Sequence, residues 1–396
     1  MKKTLIKTII ILYIFLPTIN IKALEIYSEN AVLYNMNEDK IIYEKNANEK
    51  VKVASLTKIM TTIIALENIE NIKEEVKMPE SAFNGLDGYV VSGIKKNEII
   101  TYEDLLYGIM LPSAADCANA VAINISGSID KFVDLMNEKA KELNMNNTHF
   151  SNPVGMDDDN YSSVSDIAQL LKYALKNEEF KKIFMAKEYK TTNNIILKST
   201  IIEKSEPYNI NVSNILGSKT GFTDEAGNCL ASISKINNVK YLLVTTNASI
   251  DKSYHIMDAV ETYNYFSTNY SYKKILSENQ LIKTIKIKDL INKEYNIYSE
   301  LDKYIYLNNE IDTSNLIYEY EGIEELTKDI KKNDKIGILK IKNNDEVLYE
   351  QDIYLDKKIN YYNIKLYATE IIIVITSYII IKKLIKHLFT TKSNIW

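Results

Sequence analysis

The spacing of apolar residues changes character several times along the chain. Residues 8–19 are mostly apolar and follow Lys2 and Lys3. Two short runs, Ala31–Tyr34 and Ile41–Glu44, read as strands on either side of the turn-like Asn37-Glu38-Asp39. From Leu56 to about Glu67 the period lengthens, and Ile59, Met60, Ile63 and Leu66 fall on one helical face. A second helical region spans Tyr102 to about Lys141 and is broken at Pro112. Beyond Gly217, strand signals return in Cys229–Ser234 and Tyr241–Thr246, joined by Asn237-Asn238. Strands, then helices, then strands predict an α/β domain over residues 25–270, a mixed sheet with helices on its faces. Residues 271–360 differ. Their segments Leu281–Ile287, Tyr304–Leu307, Ile336–Ile341 and Glu346–Tyr354 alternate with Asn, Asp and Lys, which predicts a small β-rich domain.

Both ends carry apolar runs of a kind that addresses a membrane. Lys2 and Lys3, the run 8–19 and then Ala23 predict a secretory signal over residues 1–23, cleaved near Ala23–Leu24 or kept as an uncleaved anchor. Near the C-terminus, Leu366–Ile381 is apolar apart from Glu370 and its few hydroxyls, and Lys382, Lys383, Lys386 and Lys392 follow. That arrangement predicts a C-terminal membrane helix over 364–389 with a basic cytoplasmic tail. The run gives only about 24 Å of helix, against a hydrocarbon core of roughly 30 Å. It therefore spans with the help of snorkelling lysines or lies in the interface. Tyr361-Tyr362 would sit at the membrane edge. The chain between the two runs is expected outside the cell, at the face of its membrane.

Composition removes several classes of function. The formal net charge of −5 is too small to suggest a polyanionic partner, so no nucleic acid is expected. All the basic side chains other than histidine are lysines, since the chain has no arginine. Two cysteines, Cys117 and Cys229, do not make a disulfide framework. His149, His255 and His387 stand too far apart to suggest a metal site, and no metal or organic cofactor is expected.

The chemistry gathers in three short segments: Ser55-Leu56-Thr57-Lys58, Ser113-Ala114-Ala115-Asp116 and Lys219-Thr220-Gly221. A Ser-x-x-Lys pair alone says little; it recurs at Ser92/Lys95, Ser128/Lys131, Ser232/Lys235, Ser249/Lys252 and Ser271/Lys274. Ser55 differs in standing just before a strongly apolar helix, where a serine commonly caps backbone N–H groups. Capping leaves Lys58 unexplained, because a cation is unfavourable at a helix start and a capping box would place Glu or Gln there. A lysine one turn on shares a face with the serine. Burial and the helix dipole would lower its pKa, so a neutral amine could take the serine proton. Ser113 follows the helix break at Pro112, where it could equally be an N-cap. Lys219-Thr220-Gly221 precedes the turn residue Gly227 and the strand from Cys229, a hairpin context.

In this order and at these separations, the three segments resemble the active-site motifs of penicillin-binding proteins and serine β-lactamases. Residues 147–150 and 152–157, with the stretch Ser162–Ala168, resemble the loop of D-alanyl-D-alanine carboxypeptidases. No Glu-x-x-x-Asn segment is evident where a class A β-lactamase keeps its deacylating glutamate. The resemblance implies a penicillin-binding-protein-like α/β fold and a serine carboxypeptidase that removes the terminal D-alanine from peptidoglycan stem peptides. β-Lactam antibiotics would act as inhibitors. It implies Ser55 as nucleophile, Lys58 as base and Ser113 as proton relay. Lys219 and Thr220 would meet the substrate carboxylate, and Gly221 would allow close approach. The backbone N–H of Phe222 would join that of Ser55 in an oxyanion hole. The family pattern in the second motif is Ser-x-Asn, and Ala115 stands in the asparagine place; Asp116 or Asn119 could supply a related contact. Relatives often hold the carboxylate with an arginine; Lys252 is the nearest substitute, able to supply charge without a bidentate fork. His149 is read as structural. Rival readings are an endopeptidase, a β-lactamase, or a wall-binding scaffold whose catalysis has weakened.

Overall fold

The computed structural model describes residues 24–156, 159–288, 293–359 and 364–392. The expected export signal at 1–23 and the Tyr361-Tyr362 pair lie outside the described residues. Two compact units are separated between Ser267 and Thr268.

The first unit opens with β1 (Asn30–Asn35) and β2 (Lys40–Lys45), followed by a 3-10 turn at Ala54–Thr57 and α1 (Lys58–Asn68). A two-stranded antiparallel pair, β3 (Glu75–Lys77) with β4 (Ile99–Thr101), leads into α2 (Tyr102–Met110), α3 (Ala115–Ser126) and α4 (Ile129–Glu142). Then come α5 (Val164–Ala174), α6 (Glu178–Met185), the hairpin β5 (Glu188–Lys190) with β6 (Ile196–Lys198), and α7 (Thr200–Ser205). The unit closes with β7 (Ile215–Thr223), β8 (Gly227–Ile236), β9 (Val239–Ala248) and α8 (Tyr254–Asn269).

Five strands form the main sheet in the order β2-β1-β9-β8-β7. Every pairing in it is antiparallel. Short turns between β7, β8 and β9 force this, because parallel neighbours would need long crossovers. One consequence matters for function. β7, which carries Lys219, Thr220 and Gly221, is an edge strand whose outer side has no strand neighbour among the described residues.

Alternation along β9 sorts the two faces. Leu242 and Val244 enter the large core that holds Ile59, Ile63, Leu105, Val121 and Leu171 from the helices. Tyr241 points the other way and packs on Tyr263 of α8, whose hydroxyl shares a 2.9 Å hydrogen bond with Ser232 of β8. The central helix α1 is enclosed over its first two turns, including Lys58. Helices start where the caps dictate. Thr101 Oγ1 accepts from the Asp104 N–H while Asp104 Oδ2 accepts from the Thr101 N–H, both at 3.1 Å, which closes the start of α2. Pro112 prevents α2 from running into α3.

The second unit is β-rich. β10 (Tyr270–Leu276), β11 (Leu281–Ile287), β12 (Glu294–Tyr298) and β13 (Lys303–Asn308) come first. β14 (Ile317–Gly322), β15 (Glu325–Leu326), β16 (Lys335–Asn343) and β17 (Glu346–Tyr354) follow. They pair as β10-β13, β12-β11-β15 and β14-β16-β17 around Ile285, Leu326, Leu339 and Ile341.

The chain ends in α9 (Ile364–Lys392), on which residues 371–375 and 379–381 are exposed aliphatics. Here one expectation is not met. Among the described residues, no helix is long and apolar enough to cross a membrane. Glu370 on one side and Lys382 and Lys383 on the other confine the uncharged stretch to 371–381, about 16 Å of helix.

Candidate active site

Ser55 lies in the 3-10 turn that feeds α1, and it is 8% exposed. It caps nothing. Val53 and Thr57 hold the N-cap positions of the turn and of α1, and neither makes a side-chain cap bond. The residue before Ser55, Ala54, has φ +46. A non-glycine residue in the left-handed region is strained by about 1–2 kcal/mol, and such strain gathers at functional sites.

Lys58 Nζ is 3.0 Å from Ser55 Oγ and donates to the Val154 carbonyl at 2.8 Å. Its side chain is 1% exposed, and burial pushes the ammonium down to about 7, against the opposing pull of the Asp116 carboxylate. A pKa near neutrality leaves a large fraction of Lys58 as free amine. The Val154 carbonyl takes one N–H, which leaves the nitrogen lone pair free to face the Ser55 hydroxyl.

The second segment forms the elbow between α2 and α3. Ser113 has φ +69, a second left-handed non-glycine residue beside the chemistry. It is not an N-cap: Ala114 occupies that position on α3 and makes no side-chain cap bond. The Ser113 hydroxyl instead accepts from Lys219 Nζ at 2.8 Å. Ala115 is fully enclosed in the core and its N–H donates to the Val90 carbonyl at 2.8 Å. Neither candidate replacement for the missing amide is free. Asp116 accepts from the Ser92 N–H at 2.9 Å and the Ser92 hydroxyl at 2.6 Å. Asn119 Nδ2 donates to the Ala82 carbonyl at 3.1 Å.

β7 brings the third segment against the first two. Lys219 is 1% exposed and also donates to the Thr220 carbonyl at 2.8 Å. Burial first, then the neighbouring Lys58 and Lys204, holds its ammonium well below the usual lysine range. Thr220 Oγ1 shares a 2.7 Å hydrogen bond with Thr200 Oγ1, and the Thr200 N–H donates to the Leu111 carbonyl at 3.2 Å. The start of α7 thus ties β7 to the Ser113 elbow. Gly221 lets β7 pass close to the nucleophile turn. A Cβ there would lie 3.1 Å from the Ser55 nitrogen and 3.2 Å from Ala54 Cβ. Gly155, next to Val154, has φ +87, and a Cβ on it would lie 2.1 Å from the Ala54 carbonyl oxygen. Phe222 is 42% exposed at the open edge.

Ser55, Lys58, Ser113, Lys219, Thr220 and Gly221 therefore converge. Lys252 does not join them. It is exposed on the turn after β9, its carbonyl accepts from Asn228 Nδ2 at 3.2 Å, and its ammonium makes no hydrogen bond or ion pair among the described residues. A cation absent from the sequence-based set is closer to the chemistry. Lys204, one turn along α7 from Thr200, is half-buried, lowered by that burial, and felt electrostatically by Lys219. Only its i, i+4 spacing from Thr200 could have flagged it. His149 is exposed and its backbone bridges to Tyr161, as suits a structural residue. Among the described residues, no cluster of His, Cys, Asp and Glu could hold a metal ion.

The family model described as D-alanyl-D-alanine carboxypeptidase matches residues 18–250. The model described as penicillin-binding protein 5, C-terminal domain, matches residues 270–361. The chain is 29% identical over 331 residues to the D-alanyl-D-alanine carboxypeptidase DacF of Bacillus subtilis, covering 82% of this chain and 84% of that protein. It is also 29% identical over 248 residues to a D-alanyl-D-alanine endopeptidase of Escherichia coli, covering 59% and 76% respectively. Among solved structures, the carboxypeptidase DacD from Francisella tularensis shares the fold at 21% identity, with TM-score 0.70 over 85% of this chain and 95% of that one.

Proposed function

The chain belongs to the D-alanyl-D-alanine carboxypeptidase family, and from that premise we propose that Ser55 is the nucleophile of a serine carboxypeptidase acting on peptidoglycan stem peptides ending in D-Ala-D-Ala. The observation that carries the assignment is the 3.0 Å contact between Ser55 Oγ and a buried Lys58 whose ammonium is held at about 7.

The substrate lies along the free edge of β7 as an added strand. Its terminal carboxylate turns toward Lys219 and the Thr220 hydroxyl. Ser55 Oγ attacks the carbonyl between the two D-alanines, and its proton passes to Lys58 Nζ. The backbone N–H groups of Ser55 and Phe222 receive the developing oxyanion. As the C–N bond breaks, the departing amine takes the proton that Lys58 received, relayed through the Ser113 hydroxyl that Lys219 holds, and Lys58 is left neutral for the second step. D-Alanine leaves, and an ester joins Ser55 to the remaining peptide. Water then attacks the ester with Lys58 as base, and the shortened peptide departs. A β-lactam ring opens on the same serine.

Lys219 has a further electrostatic consequence. In the empty site its cationic form is disfavoured by burial and by Lys58. A bound carboxylate restores the preference for the cation. Lys204 supplies a second positive centre for that carboxylate, ahead of the solvent-facing Lys252.

The enzyme works outside the cell. Membrane tethering is supported by the exposed isoleucines of 371–381 followed by Lys382, Lys383 and Lys386, whose stems can bury while their ammonium groups stay in water. Loss of membrane sedimentation on deleting residues 364–396 is the expected result; unchanged sedimentation would remove that role from the helix.

The reaction is tested by incubating purified protein with a stem pentapeptide ending in D-Ala-D-Ala and analysing the products by mass spectrometry. Free D-alanine and a tetrapeptide are expected. Separated cross-linked peptides without D-alanine release would make the enzyme an endopeptidase. An intact pentapeptide would refute the assignment.

A further inference from the structure

A cavity adjoins the nucleophile turn at Ala54. Its volume is about 180 Å³, and Ala54, Gly155 and Thr223 form part of its wall. Four of its lining side chains carry a charge or an amide: Lys52, Asn160, Asp224 and Glu225. None of the roles described above uses them.

Their arrangement has a definite chemistry. Asn160 is 2% exposed, and its Oδ1 accepts from the Ser151 N–H at 3.1 Å. That bond fixes which end of the amide is the donor. Its Nδ2 is buried and has no partner among the described residues. A buried donor without an acceptor is destabilising by about 1–3 kcal/mol, and an Asn160 on the wall of a cavity is placed to recover this from a ligand oxygen. Lys52, half-buried, adds positive charge on the same wall, while Asp224 and Glu225 are exposed acids at the β7–β8 turn. Among the described residues, neither acid pairs with Lys52 or any other lysine. The cavity therefore offers an anion-binding donor with a cation, and beside them two unpaired carboxylates. The ligand that satisfies both halves carries an ammonium and a carboxylate together.

Position along β7 says which part of a substrate would enter. In the proposed mechanism Lys219 and Ser113 serve the leaving-group end. Thr223, Asp224 and Glu225 continue β7 beyond Phe222 on the acyl side. In that direction the inner D-alanine stands at Ser55 itself, and the next residue is the one ahead of the two D-alanines, the diamino acid of the stem peptide. We propose that this cavity is a specificity subsite for the side chain of that residue, and that it selects one ending in an α-amino-acid zwitterion, a diamino-dicarboxylic acid, over one ending in a simple amine. Asp224 and Glu225 receive the ammonium; Asn160 Nδ2 and Lys52 receive the carboxylate. The subsite rests on the Ser55 acyl-transfer reading given above.

The test uses the full chain and three peptides identical except at that residue: meso-diaminopimelate, lysine and Nε-acetyl-lysine, each followed by D-Ala-D-Ala. The diaminopimelyl peptide is expected to show kcat/KM about ten-fold or more above the lysyl peptide, the scale of one charge-assisted hydrogen bond. In the variant Asp224→Asn with Glu225→Gln, that ratio should fall to near one. Equal kcat/KM for all three peptides in the unaltered enzyme would overturn the subsite while leaving the peptidase assignment standing. If no peptide releases D-alanine, the peptidase assignment falls, and direct binding still decides the subsite. Calorimetry with the Ser55→Ala protein then reads the same ratio as relative affinity, and equal affinities would overturn it.

Discussion

Lys219 Nζ donates to Ser113 Oγ over 2.8 Å, joining residues 106 positions apart in the chain. The contact links the edge strand to the elbow between α2 and α3, and in the proposed mechanism it holds the hydroxyl that relays a proton to the departing amine. Ser113→Ala removes the hydroxyl while Lys219 keeps its bond to the Thr220 carbonyl. D-Alanine release should fall by roughly 10²-fold or more, the scale of a lost proton-transfer group. A stopped-flow comparison of kcat/KM with the parent enzyme would check it, and a loss under three-fold would remove Ser113 from the proton path.

The pH profile follows from Lys58. In the proposed mechanism Lys58 acts as the neutral amine, and burial holds its ammonium at about 7. Acylation by a neutral β-lactam should therefore rise as pH increases through about 7 and level off above it. Asp116 acts in the opposite direction on Lys58, favouring its protonated form. Asp116→Asn removes that charge with little change of shape, so the rise should move to lower pH. A shift to higher pH would contradict the electrostatic account.

Two glycines beside Ser55 should fail differently when replaced by alanine. At Gly221 the added Cβ meets atoms at 3.1–3.2 Å, which a small retreat of β7 relieves. Gly221→Ala should fold with near-parental thermal stability yet lose most penicillin acylation. At Gly155 the Cβ would sit 2.1 Å from a backbone carbonyl, at φ +87. Gly155→Ala should lower stability by several kcal/mol, combining overpacking with left-handed strain. Thermal melts with acylation assays separate the two.

Ala115 stands where the family pattern has asparagine, and from the sequence alone restoring the amide would raise or preserve D-alanine release. The enclosure of this position argues against a gain. Ala115→Asn pushes a larger polar group into a packed core, at about 1–3 kcal/mol. The variant should melt at lower temperature without gaining D-alanine release; a clear gain would show that the site opens there.

Substrate binding should take up protons. Lys219 is held well below its ordinary range in the empty site, and an incoming carboxylate favours its charged form. Calorimetry of Ser55→Ala with a D-Ala-D-Ala peptide, repeated in buffers of different ionisation enthalpy, should report net proton uptake. Proton release on binding would contradict the assigned contact.

Local signals made some of this legible in the sequence. Glu346–Tyr354 reads as a strand because its flanks are turn-forming, and it is one. Ser55 and Lys58 stand one helical turn apart, so their meeting follows from helix geometry. Other features depend on contacts far apart in the chain. Lys204 acquires its place through the packing of α7 on β7, and Ala115 is enclosed partly because its N–H is tied to Val90. The second motif reads equally well as a helix cap until the left-handed backbone at Ser113 turns its hydroxyl to Lys219. The C-terminal run shows the reverse failure. Its isoleucines signal membrane, but its flanking charges decide how long the uncharged stretch can be.

The central claim is that one hydroxyl, Ser55 Oγ, carries the acyl group. Incubation with a fluorescent penicillin, followed by tryptic mass spectrometry, measures this directly. One adduct per chain on the peptide containing Ser55 is predicted, with none in Ser55→Ala. Undiminished labelling of the alanine variant, or an adduct on another residue, would contradict the account.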